Sequence, residues 1–199
     1  MHGAGRGEKG NLRIQSLFVL HASVSALIRP SAHFPCDMNT ISGKIIDRTW
    51  KRVNEATPED VQQITAKLFE NQPFIGAYLM AVEESMESAS ERGNLLFIAV
   101  IIFESMSAGR EPLRTVSSEE IDAAESANVK FLEKLEDGSE MDHMDAFQGL
   151  LTNYNQGPLL AAVVEALMSD DQEEPDSAPE SVGMSLLHLK TVIDCWDQC

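Results

Sequence analysis

The chain has 199 residues, 43% of them hydrophobic and 6% aromatic, with 15 basic against 32 acidic side chains for a formal charge of −17. The apolar fraction excludes a disordered polyelectrolyte, and the charge disfavours direct contact with nucleic-acid phosphates or anionic membranes. Ala, Leu, Ile, Val and Met carry most of the apolar load, a mix suited to helices packed on helices, so the expected fold is all-α, a multi-helix bundle of about seven helices.

The charge is unevenly placed. Residues 1–36 carry Arg6, Lys9, Arg13 and Arg29 against Glu8, a net of +3, which leaves −20 on residues 37–199. Within 1–37 the basic residues precede an apolar stretch from Ile14 to Ile28, with small Ala22, Ser23, Ser25 and Ala26 after its centre. Three readings fit: an N-terminal extension upstream of a natural start at Met38, a targeting peptide with its basic, apolar and small regions in order, or a helix packed on the domain. The first is preferred, because a helix start follows closely on Met38. The stretch is too short and polar for a membrane span. Residues 38–199 then form a single acidic helical domain. Three cysteines, Cys36, Cys195 and Cys199, are too few for a disulfide framework and point to a reducing, cytoplasmic setting.

In chain order, Ile45, Ile46, Trp50 and Val53 recur at helical spacing over 43–54. Thr57-Pro58-Glu59-Asp60 is a strong start for a second helix, with a capping threonine, a proline in the first turn and acids facing the N-terminal dipole. Asn71-Gln72-Pro73 closes it near residue 70 and opens a third helix, over about 72–87, with Asn71 as cap. Ser90 leads into a fourth, about 91–107, whose nine-residue run Leu95 to Phe103 is apolar on every side and so buried on every side. Helix is preferred to strand there because the pattern continues to Gly109; nine residues cannot cross a bilayer. Ser117, with Glu120 at capping-box spacing, starts a helix to about Asp137. Another covers about 140–153 with Met141, Met144, Phe147, Leu150 and Leu151 inward. Gly157-Pro158 precedes an apolar helix from Leu159 to Met168. Residues 169–182 form an acidic, Pro-containing linker, and the last helix covers 183–197 with Leu186, Leu187, Leu189, Val192, Ile193 and Trp196 inward.

Two stretches of the chain correspond. Asn71-Gln72-Pro73-Phe74-Ile75-Gly76-Ala77 aligns with Asn155-Gln156-Gly157-Pro158-Leu159-Leu160-Ala161, offset 84, and Gly93, Leu96-Phe97 and Ile102-Phe103-Glu104 align with Gly183, Leu186-Leu187 and Val192-Ile193-Asp194, offset 90. One insertion at the acidic linker accounts for the difference. The spacing predicts two stacked helical pseudo-repeats sharing one core. The Asn-Gln-Pro turn, the apolar helix after it and the Gly93–Glu104 helix resemble a group of small bacterial helical proteins with no assigned function. That resemblance covers roughly 57–107 and 155–197; it implies a helical fold and contributes no chemistry.

Candidate chemistry is sparse. Asp142, His143 and Asp145 gather at a helix start beside Glu140 and are the candidate ligands for a hard or borderline divalent metal. Asp142 and Asp145 share a helix face but His143 does not join them, so acids favoured by the helix dipole are the simpler reading. His188, Cys195 and Cys199 fall near one helix face and suit zinc, although a buried Cys195 packing as a small apolar group is the simpler account. Glu83, Glu84, Glu87 and Glu91, with Glu104 and Asp194, are read as a solvated acidic face. Nucleophile elbows, phosphate loops and dinucleotide fingerprints are absent from the sequence.

The expected function is therefore a non-catalytic helical interaction or regulatory protein without a cofactor. Its partner is a basic protein, or a second copy meeting it through an apolar helix face, with neither nucleic acid nor membrane bound directly. The alternatives are an acid-rich metal-dependent enzyme and an acidic mimic of nucleic acid.

Overall fold

A computed structural model describes residues 38–84, 86, 88–109, 112–136, 153–168 and 179–197. The described residues hold seven helices and no strand: α1 Gly43–Asn54, α2 Pro58–Asn71, α3 Pro73–Glu84, α4 Ala89–Gly109, α5 Ser118–Glu136, α6 Gly157–Met168 and α7 Pro179–Asp197. The all-α bundle expected from periodicity is the observed fold. Residues 1–37, residues 140–152 of the helix expected over 140–153 and the 169–178 part of the acidic linker lie outside the described residues.

Reciprocal side-chain caps set three of the seven helix starts among the described residues. Thr57 accepts from the Asp60 N–H while the Asp60 carboxylate accepts from the Thr57 N–H, a closed capping box with Pro58 in the first turn. Ser117 and Glu120 form the same reciprocal pair at α5. The α4 start departs from expectation. Its cap is Ser88, not Ser90, because Glu91 lies three residues after Ser88 and closes a box with it. At α3, Asn71 ends α2 and Gln72 stands alone between the two helices. A Cβ at Gly76 would fall 2.8 Å from the Phe69 ring, so the missing side chain is what lets α2 and α3 close on each other.

The core is built on α4 and α7, which pack on each other. The Leu95–Phe103 run is helical, and Ala99 to Ile102 have no measurable exposure. From α7, Leu186, Leu187, Leu189, Val192, Ile193 and Trp196 are all buried, as their spacing predicts. Phe103 and Trp196 meet with ring centroids 5.9 Å apart. By length and composition α4 is long and apolar enough to cross a bilayer, and here most of it is covered by protein.

The other helices flank this pair in a matched way: α1 packs on α4 and α6, and α5 on α7 and α3; α3 also touches α7, as α6 touches α4. Two extended segments lead into the flanking helices, residues 38–41 before α1 and 112–117 before α5. The first lies over the end of α4, where a Cβ on Gly109 would collide with the Ile41 side chain.

The Asn71-Gln72 and Asn155-Gln156 turns hold these segments with the same bonds. The Gln72 amide accepts from the Val116 N–H at 3.1 Å and donates to the Arg114 carbonyl at 2.8 Å. The Gln156 amide accepts from the Ile41 N–H at 3.0 Å and donates to the Asn39 carbonyl at 3.3 Å. Each glutamine is fully buried and satisfies a donor and an acceptor two residues apart on an extended chain, as a β-ladder partner would. The bonding is crossed: the turn before α3 holds the segment entering α5, and the turn before α6 holds the segment entering α1.

Candidate functional site

The amphipathic pattern of α1 puts Ile46 and Val53 in the core and leaves Trp50 half-buried at its edge. That edge forms one wall of a groove between α1, α4 and α6, a cleft of about 760 Å³. Its floor is apolar: Ile46 and Trp50 from α1, Phe97 and Ile98 from α4, Ala162 and Ala166 from α6. Asn54 and Asn94 add amides, and Asp47, Glu55 and Glu165 stand exposed at the rim. Among the described residues, Lys51 is the one cation in the lining; it lies 3.9 Å from Glu55, both side chains well exposed, a pair worth little in water. Outside the groove, Arg52 pairs with Glu104 and ties α1 to α4.

Polar side chains inside the bundle are gathered along α7 in three clusters. In the first, the Tyr78 hydroxyl from α3 donates to Glu125 of α5 at 2.8 Å and lies 2.6 Å from Nδ1 of His188. A phenol has one proton, so with Glu125 accepting it, Nδ1 of His188 carries the hydrogen and donates to the Tyr78 oxygen. Burial pushes the imidazole below its usual value, opposed by the Glu125 charge. It raises the Tyr78 phenol, as does Glu125. The result is a neutral histidine beside a carboxylate, linking α3, α5 and α7.

The second cluster centres on the buried Lys190. Its ammonium donates to Asp194 at 2.6 Å and Asn128 at 3.1 Å, and lies 4.8 Å from the Tyr154 ring centroid. Asn128 also donates to Thr191 and Asp194, and the Tyr154 hydroxyl donates to Asp194. A buried charge with this many partners is compensated. In the third cluster, Asp197 accepts from Asn155 at 2.7 Å and Gln156 at 2.6 Å, while Asn155 and Gln156 also bond the 38–41 segment. Burial raises the Asp197 carboxyl despite these donors. Arg114, chelated by Glu120, donates to the Cys195 carbonyl near the end of α7.

The candidate metal ligands Asp142, His143 and Asp145 lie outside the described residues, as does Cys199. His188 turns toward Tyr78 and Glu125, whereas the Cys195 thiol points at the Glu120 carbonyl. Burial pushes that thiol up to about 12, as expected of a small packed group. Among the described residues no three His, Cys, Asp or Glu side chains are arranged to hold a metal. The acidic residues are not one solvated face. Glu91 caps α4, Glu104 has a side chain only 13% exposed against Arg52, and Asp194 sits within the Lys190 cluster, because each carboxylate found a donor in its own cap, on its own helix or on a neighbouring one. Glu87 lies outside the described residues.

Sequence reasoning missed two features. Trp50 and Phe97 read as core residues because periodicity reports an apolar face but not whether a further helix covers it. Gln72 and Gln156 read only as turn residues, although the Asn-Gln pair recurring in both turns was the available signal. Searches of protein-family profiles, of curated proteins and of solved structures each found nothing that matches this chain.

Proposed function

We propose that this chain is a non-catalytic binding protein built of two related helical units, whose α1–α4–α6 groove takes a basic amphipathic helix from a partner protein. The groove carries the reading: a cleft of about 760 Å³ with an aromatic and aliphatic floor and carboxylates at its rim. An apolar trough between helices suits an apolar helix stripe, read as anchors at i, i+3, i+4 and i+7. The rim of Asp47, Glu55 and Glu165 on a chain of charge −17 favours Lys and Arg beside those anchors and speeds their encounter. A reducing, cytoplasmic setting belongs to the same reading, supported by the free, buried Cys195.

The two-unit reading is supported by the crossed glutamine bonds and by the sequence around them. Thr40-Ile41-Ser42 precedes α1 as Thr115-Val116-Ser117 precedes α5, with Ile41 and Val116 both buried. Thr40 donates to the Asn155 side chain and Thr115 to the Asn71 carbonyl, so each segment meets the same turn residue of the other unit.

The test is a fluorescence-anisotropy titration of a labelled helical peptide with Leu at helical anchor spacing and Lys elsewhere, at low and high salt. Saturable binding is expected, weakened by salt and weakened at least roughly ten-fold when Asp47 and Glu165 are both changed to Lys, a loss of about 1.4 kcal/mol. Binding indifferent to salt and to the charge reversal contradicts the proposal.

A further inference from the structure

We infer a second docking surface for the same kind of cationic helix, across α3, α5 and α7, so that the chain is bivalent and fits a partner that presents two basic helices. This rests on the groove reading above and extends it to the other unit.

The flanking helices place this surface. In the groove, α1 packs on α4 and α6; in the same way, α5 packs on α7 and α3. Within the groove, Trp50 and Asn54 are one turn apart on α1, as are Ile98 and Asn94 on α4. The matching positions on the other side follow from the two crossed turns and the unit correspondence. Trp50 and Asn54 correspond to Glu125 and Val129 on α5, Ile98 and Asn94 to His188 and Met184 on α7, and Ala162 to Tyr78 on α3. An independent contact supports this register: Glu125, His188 and Tyr78 meet one another, as the groove floor requires of their counterparts.

Exposure points the same way. Val129 is 36% and Met184 50% exposed, two of the few large apolar side chains left open to water among the described residues. They sit one turn beyond Glu125 and one turn before His188, where the groove has its two amides. Asp122 stands exposed on α5 one turn before Glu125 and matches the rim residue Asp47. The Glu125 carboxylate is itself partly open to water. Apolar anchors beside two carboxylates call for the same occupant as the groove, a helix with an apolar stripe and cationic flanks.

The floor and rim differ in ways that set the order of affinity. Tyr78 stands in place of an alanine, and the Trp50 counterpart is a carboxylate, so this surface is shallower and loses an aromatic contact. Lys130 stands where the rim of the groove has Glu55, so the surface is also less acidic. The lost aromatic contact and the shallower floor together weaken the second site roughly ten-fold relative to the groove, about 1.4 kcal/mol.

The test is isothermal titration of the full chain with the Leu/Lys helical peptide, using Asn54→Arg and Val129→Arg. Both positions are exposed on helices and tolerate arginine, and each places a repelling cation in one surface. The wild type is expected to bind two peptides in a stronger and a weaker step, Val129→Arg to keep the stronger step alone, and Asn54→Arg the weaker. A single site in the wild type, removed by Asn54→Arg, overturns the second surface and leaves the groove reading standing. Two sites that both survive Val129→Arg overturn its location. No binding to the wild type overturns both.

Discussion

Replacing Gln156 by Leu removes a buried amide while nearly conserving volume, so the loss is one of hydrogen bonds rather than of packing. The wild-type amide accepts from the Ile41 N–H and donates to Asp197 and to the Asn39 carbonyl. In the variant the Ile41 N–H loses its acceptor and the buried Asp197 carboxyl loses one of its donors. Leaving a buried group unsatisfied costs about 1–3 kcal/mol, with bonds to charged groups at the upper end. The expected destabilisation is therefore about 3–5 kcal/mol. Gln72→Leu is the internal comparison. It loses one N–H and one carbonyl, both neutral, at 3.1 and 2.8 Å, so about 2–3 kcal/mol is expected. Urea unfolding followed by circular dichroism at 222 nm reads both as a lowered midpoint at unchanged slope. In thermal unfolding the Gln156 variant falls by roughly 6–20 °C, at about 2–4 °C per kcal/mol for a domain of this size. A loss under about 0.5 kcal/mol for Gln156→Leu, the range of ordinary surface substitutions, would refute the idea that these glutamines hold the bundle together.

Three further outcomes follow from the core and the polar clusters. Trp196→Ala empties the contact with Phe103 and is expected to cost about 3–5 kcal/mol in the same urea assay. Burial lowers the His188 value, so just below pH 6.5 the unfolded chain holds a proton that the native state does not. Stability therefore falls as the pH drops through that range, and His188→Gln is expected to flatten the slope of urea midpoint against pH between about 7 and 5; an unchanged slope counts against it. In a Cys36→Ser, Cys199→Ser background, the native Cys195 thiol, pushed up to about 12, is expected to resist a thiol reagent at about pH 8 and to react on unfolding. Rapid labelling of folded protein would contradict its burial.

The helices were legible wherever a local bond or an unbroken apolar run decided them. Thr57 and Ser117 announce their helices because their partners lie three residues away in sequence, and Leu95 to Phe103 announces a buried helix because no polar face interrupts it. Ser88 was passed over in favour of Ser90 because both are serines near the same start, and only the position of Glu91 distinguishes them. The roles of Gln72 and Gln156 depend on backbone segments 42 and 115 residues away, which periodicity does not report. Glu104 reads as a solvated acid because nothing in the chain near it shows that Arg52 will arrive from another helix; Asp194 has a local signal in Lys190, four residues earlier, but not in Asn128. The groove was hidden for the same reason: Trp50 and Phe97 look like core residues until the packing leaves one side of them open.

The proposed docking of a basic helix in the α1–α4–α6 groove is open to one direct measurement. Nitrogen-15 NMR of the full chain, titrated with the Leu/Lys peptide, tests it residue by residue. Early in the titration the shifts are expected on α1, α4 and α6, with the Trp50 indole among the largest and the Trp196 indole, buried in the core, nearly still; those on α3, α5 and α7 follow at higher peptide as the weaker surface fills. A Trp50 signal that stays in place while the peptide binds would contradict it.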